Sequence, residues 1–248
     1  MSIILALLIF SVIVIVHELG HFLLAKYNGI TVTEFSVGMG PRLLSHEWRG
    51  TRYSLKILPF GGSCMMVGEE EESDEEGSFG SKSVWARISV VAAGPVFNFL
   101  LAFVLSVIIV ANIGYDDTVV DVTPGYPAAE AGMQDGDRIV RMGGSRTYVY
   151  REISLFNSLH QGQPAEVTYR RGEEEYTIRI TPVKDENGYY RYGFEKINVR
   201  TRGNAFTTAG YSLAELRYWL KATMESLLKL VQGQVELNDV SGPVGIVN

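Results

Sequence analysis

The sequence predicts a multi-span α-helical membrane protein with a membrane-associated β-hairpin region and an extracytoplasmic α+β domain. Three observations carry that prediction. Ser2 to Ala25 contains no Asp, Lys or Arg and a single Glu, Glu18. Val90 to Tyr115, "VVAAGPVFNFLLAFVLSVIIVANIGY", contains no charged residue. Residues 116–200 alternate short β-branched runs with Gly and Pro turns at ordinary charge density. About twenty apolar residues cross a bilayer core, whereas short alternating runs bounded by turn residues read as strands.

The first transmembrane helix is expected over 1–27. A cleaved signal peptide is the competing reading. Against it, no basic residue precedes Ile3 and no small-x-small site follows the run. Residues 28–68 then read as a membrane-associated β region: "TVTEFSVGMG", "RLLSHEW" and "TRYSLKILPFGG", with a hairpin turn around Gly50. Leu55, Ile57, Leu58 and Phe60 make the last run apolar on both faces, which fits backbone dipping into the membrane where protein or a water cavity covers it. An ordinary cytoplasmic hairpin is the alternative.

Residues 69–89 form an acidic cytoplasmic linker. Its run "EEEESDEEG" holds seven acids, so the net charge of −6 belongs to this stretch and the rest is near neutral. No clustered basic face exists, which argues against a nucleic-acid partner. Cys64 is the only cysteine, which excludes an intrachain disulfide.

The second transmembrane helix is expected over 90–114. Lys26, Lys82 and Arg87 flank the 26–89 loop, and no basic residue follows the second span until Arg138. The positive-inside rule puts that loop in the cytoplasm and the 116–200 domain outside. Over 204–233 an amphipathic helix is expected. Leu213, Leu216, Leu220, Leu227 and Val231 recur at helical steps, and Arg217, Lys221, Glu225 and Lys229 lie four apart. Its apolar face suits a membrane surface or packing on the protein. Residues 238–248 read as the start of a third membrane segment.

His17-Glu18-Leu19-Gly20-His21 reads H-E-x-x-H. Residues four apart share a helix face, so both imidazoles can reach one metal ion, with Glu18 one step round. Zn2+ suits two neutral histidines, a further ligand and an open position. The bland reading is two core histidines and a chance glutamate. The membrane weighs against it, because an acid in a span costs about 2.5–3.5 kcal/mol on insertion scales. His17 follows roughly fifteen helical residues, about 22 Å of rise, which sets the site inside the bilayer toward the cytoplasmic side.

These motifs together resemble the bacterial site-2 proteases, intramembrane zinc metalloproteases of the sigma-factor-regulating type with one PDZ domain. The resemblance rests on His17 to Phe22 in the first span, "GPVFNF" (Gly94 to Phe99) opening the second, "PAAEAGMQDGDRI" (Pro127 to Ile139) in the outer domain, and "SGPVGI" (Ser241 to Ile246). It implies that His17 and His21 are zinc ligands and Glu18 the catalytic base. It assigns Asn98, Gly94 and Pro95 to substrate binding; a helix-packing amide is the plain alternative for Asn98. The β region corresponds to a membrane-associated loop that pairs with an extended substrate segment. The outer domain becomes PDZ-like, with "RYGFEKI" (Arg191 to Ile197) as a groove edge. The implied partners are the lipid bilayer and single-span substrates of the anti-sigma-factor type, and the implied location is the cell membrane.

The resemblance also implies a third zinc ligand, an aspartate in an L-D-G motif, which this sequence lacks. The expectation is therefore a C-terminally truncated piece with that ligand beyond Asn248, binding zinc weakly and not cleaving by itself. The competing function is a membrane-anchored PDZ-type binding protein with a vestigial metal site. A transporter with a histidine pair in its pore is disfavoured, since two spans show no repeat.

Overall fold

A computed structural model of the chain describes residues 2–69, 73, 75–197 and 200–233. The expected segment at 238–248, with its Ser241 to Ile246 motif, lies outside the described residues, as does much of the acidic run. Two units divide within one helix, between Ala102 and Phe103.

The first unit opens with α1 (Ser2–Tyr27), followed by the strands β1 (Val32–Trp48) and β2 (Thr51–Met66) and the first part of α2 (Val84–Ile113). Two of its helices are long and apolar enough to cross a membrane. Only 11% of the most apolar window of α1 and 6% of that of α2 is buried, whereas the core helix of a water-soluble domain would be covered. α1 is tied into the unit. Ser11 Oγ donates within reach of the carbonyls of Leu7 (2.8 Å) and Pro59 (2.9 Å), and Ala25 is fully buried with Ile30, Val32, Cys64 and Val90.

α2 begins at Val84, six residues before the expected start. Ser83 Oγ accepts from the Ala86 N–H at 3.3 Å, which serves an otherwise orphan donor of the first turn. Arg87 thus marks the edge of the apolar stretch rather than the start of the helix.

The β region differs from three short strands. β1 and β2 are long and curl back on each other. Val32 to Val37 pairs on one side with Gly62 to Met66 and on the other with Arg52 to Leu55, while Arg42 to Trp48 pairs with Thr51 to Lys56. The bends fall at Gly38, Gly40 and Gly61, all with φ near +80 to +87, a region that glycine enters without steric penalty. The turn joining them is Arg49-Gly50, both at positive φ.

The second unit holds the end of α2, an α+β domain and a long helix. Its strands are β3 (Val120–Val122), β4 (Arg138–Met142), β5 (Ser145–Arg146), β6 (Ala165–Arg171), β7 (Glu174–Ile180), β8 (Val183–Lys184), β9 (Tyr190–Arg191) and β10 (Phe194–Lys196). β5-β4-β6-β7 form one sheet, and β3 pairs with β10. The short α3 (Pro127–Glu130) and α4 (Tyr150–Leu159) cover a core of Val120, Met133, Ile139, Met142, Ile153, Val167 and neighbours. Asp137, 1% exposed, accepts from Arg171 Nε and Nη2 at 2.8 and 2.7 Å and from the Gln134 N–H at 2.9 Å. That two-pronged pair closes the turn of the Pro127 to Ile139 motif.

α5 (Ala205–Val231) is capped by Asn204, whose side chain accepts from the Thr207 N–H at 2.9 Å. Its packed face is made of Thr208, Ser212 and Ala214, not of the leucine stripe. Small residues allow close approach: Ser212's carbonyl lies 3.4 Å from Ser106 Oγ on α2, and Tyr211 stacks on Tyr115. Arg151 pairs with Glu215 at 3.2 Å. Leu213, Leu220, Leu227 and Val231 remain exposed.

Candidate metal centre

Two four-residue ladders build the site. His17 and His21 stand one turn apart on α1, and Val90, Gly94 and Asn98 stand at the same step on α2. Gly20, buried on α1, meets the Ala93 carbonyl and the Phe97 ring so closely that a Cβ there would lie 2.6 Å from the oxygen. Small residues at a helix crossing bring the backbones together.

Gly94 is the floor of the site. A Cβ built on it would stand 2.5 Å from His21 Nε2 and 2.6 Å from His17 Nε2. Both Nε2 atoms, with His17 Cε1 also at 2.6 Å, therefore lie close to one point, and the rings sit 4.8 Å apart at 78°. His21 Nδ1 lies 2.8 Å from the Val90 carbonyl. A carbonyl only accepts, so Nδ1 carries the proton and Nε2 is bare. Pro95 lacks the N–H that would bind the Val91 carbonyl, which interrupts the helix ladder next to that contact. The two nitrogens thus fit a metal ion: they converge, and His21 is held in the ligating tautomer by an outer partner.

Asn98 Nδ2 is 3.2 Å from His17 Nδ1, and Asn98 Oδ1 is buried with no partner among the described residues. Pro95, by contrast, is on the exposed side of α2 and is not brought to the histidines.

Glu18, one residue on from His17, reaches toward β2. Its Cγ is 3.6 Å from the position of a Cβ on Gly62, and it lines a cavity of about 610 Å³ with Thr33, Gly62, Ser63, Cys64 and Met65. Glu69 and Ser73, from the start of the acidic linker, border the same cavity. Burial pushes the Cys64 thiol up to about 12, with the charge of Glu18 adding to it. Gly62 to Met66 pairs with β1 on one side only among the described residues.

Among the described residues no group of three or more His, Cys, Asp or Glu could hold a metal ion. Asp116, Asp117 and Asp121, the acids nearest α2 in sequence, lie beyond its C-terminal end. Asp239 lies outside the described residues. The Val90 carbonyl was not legible in the sequence, because a backbone acceptor leaves no residue-type signal. The shared four-residue step of 90, 94 and 98 was the only clue.

Comparison with known proteins adds to this geometry. The family model described as Peptidase family M50 matches residues 5–248. A Clostridium perfringens protein named, by inference, as a zinc metalloprotease is 36% identical over 249 residues, spanning 100% of this chain and 74% of that one. A Clostridium acetobutylicum protein named in the same way is 34% identical, spanning 99% of this chain and 73% of that one. The zinc metalloprotease RasP of Geobacillus kaustophilus is 26% identical over 327 residues, spanning 99% of this chain and 78% of RasP. The crystal structure of the PDZ domain of an SdrC-like protein from Listeria monocytogenes covers 35% of this chain and 93% of its own, at 22% identity and a TM-score of 0.30.

Proposed function

The chain belongs to peptidase family M50, and from that premise we propose that it is a zinc-dependent intramembrane endopeptidase. Its substrates are membrane-spanning segments of regulatory proteins of the anti-sigma-factor type. The observation that carries the reading is the convergence of His17 and His21 Nε2 on Gly94, inside an apolar helix pair, with Glu18 beside them on a cavity.

His17 and His21 hold the metal through Nε2. The Zn2+ ion, when bound, supplies Lewis acidity toward a water and toward the scissile carbonyl. Glu18 takes a proton from the attacking water and delivers it to the leaving amine nitrogen, the general-base and then general-acid role. The cavity bordered by Glu69 and Ser73 is the route by which water reaches Glu18 from the cytoplasmic linker. The one-sided strand Gly62 to Met66 lies on that cavity and offers an edge for an extended substrate segment. Such pairing satisfies peptide groups that an unwound helix would leave bare in lipid. Asn98 and Gly94 shape the wall opposite.

The protein sits in the cell membrane with the 116–200 domain outside. That domain is PDZ-like and selects substrates. Lipid covers the exposed apolar faces of α1 and α2.

Clipping of a single-span anti-sigma-type reporter tests the reading, and clipping by the unaltered chain would at the same time overturn the expectation that it does not cleave by itself. The reporter is co-expressed in cells devoid of related proteases. Glu18→Gln should abolish clipping, by at least about 10²-fold, while leaving zinc binding in place, and a chelator should reproduce the loss. Clipping that persists in Glu18→Gln would overturn the assignment. The absence of a third ligand among the described residues favours a second reading, a membrane-anchored PDZ-type binding protein. Capture of an intact reporter by an unaltered chain that neither clips it nor binds zinc is its signature.

A further inference from the structure

We propose that Asn98 is a positioning residue for His17: its carboxamide oxygen accepts the Nδ1–H of that imidazole and keeps Nε2 bare. This rests on His17 being a metal ligand.

A neutral imidazole carries one N–H, and only its other nitrogen can ligate. For His21 the choice is made by the Val90 carbonyl, which can only accept. For His17 the neighbour is an amide, which offers either an oxygen or an NH2 by a half-turn of its plane. With Nδ2 toward the ring, 3.2 Å from Nδ1, Nδ1 must be the acceptor. The His17 proton then sits on Nε2, beside the point over Gly94 that His21 Nε2 also approaches. That tautomer removes a ligand.

With Oδ1 toward the ring, both histidines carry their proton on Nδ1, and both Nε2 atoms present lone pairs to the same point. The Asn98 NH2 then takes the buried position that has no partner among the described residues. Outer partners of this kind fix ligand tautomers. An amide does so here without the free-energy penalty of a carboxylate in a span. The spacing is a consequence of helix geometry: Asn98 stands one turn beyond Gly94, as His17 stands one turn before His21.

The test uses the full chain in lipid nanodiscs with 15N,13C-labelled histidine. His17 is assigned by the signal lost in His17→Ala. In the metal-free protein, ring shifts should report Nδ1–H for His17 in the unaltered chain and in Asn98→Asp. In Asn98→Leu a large Nε2–H fraction should appear. Zinc affinity, by competition with a chelator, should fall about 10–100-fold in Asn98→Leu and return to within a few-fold in Asn98→Asp. An Nε2–H tautomer in the unaltered chain would overturn the proposal, as would a tautomer that ignores Asn98→Leu. Unchanged zinc affinity in His17→Ala overturns the ligand reading, and the positioning role with it. Affinity lost in His17→Ala but kept in Asn98→Leu overturns the positioning role alone.

Discussion

Gly94 has no side chain, and that is why two imidazoles can meet. The site depends less on a favourable contact there than on the absence of atoms. Gly94→Ala places a Cβ 2.5–2.6 Å from both Nε2 atoms, closer than any real contact, so one ring must turn or α1 and α2 must part. Overpacking of this kind costs about 1–3 kcal/mol, and the displaced rings should lose zinc affinity by about tenfold or more. Isothermal titration with zinc against the unaltered chain measures it; undiminished affinity would mean that the rings do not converge over Gly94. At this scale the juxtaposition of His17 and His21 was legible in the sequence, because a four-residue step on a helix sets both rings on one face. The placement of Asn98 and Gly94 was less legible. Their residue types are common in spans, and their roles come from what stands opposite on another helix.

The bent β pair shows what an element owes to a single buried charge. Glu34, on the first limb of β1, is 5% exposed and is held by Arg42 Nη2 at 2.6 Å and Lys56 Nζ at 3.7 Å. Arg42 follows the bend at Gly38 and Gly40, so the pair clamps β1 against its own return. The Arg42 guanidinium holds the Glu34 carboxyl down to about 2. A carboxyl depressed in the folded state stabilises it above the ordinary range near 4.5, and that contribution is lost as pH falls toward about 2. The thermal midpoint of the detergent-solubilised chain should therefore drop between about pH 5 and pH 2.5. In Glu34→Gln the drop should shrink and the midpoint at neutral pH should be lower, because Arg42 and Lys56 lose their partner. Equal pH profiles for the two would place the acid sensitivity elsewhere. Strand existence was legible from β-branched alternation, but the curl was not. Glycines signal a break equally well whether a strand ends or bends. α5 has the same lesson in helical form: its leucine period announced a helix, yet Thr208, Ser212 and Ala214 are buried while Leu213, Leu220 and Leu227 are exposed.

For the whole molecule, the 116–200 domain has a core of its own. Val120, Ile139, Val167, Tyr169, Ile180 and Phe194 bury one another, and the Arg171–Asp137 pair locks its first turn. A fragment of residues 116–200 should fold by itself, with a single cooperative unfolding transition and β-rich circular dichroism; a disordered fragment would show that α5 or α2 completes the core. The sequence by itself determined the two apolar helices, the polar domain after them and the three titratable groups on one helical turn, because these follow from local composition and from periods of 3.6 and 2. Only the tertiary structure decided which atoms face those groups: a backbone carbonyl for His21, an amide for His17, bare backbone beneath both, and a strand edge on the cavity of Glu18. Those partners are 44 to 81 residues away in the chain, and no local period encodes a contact between distant elements.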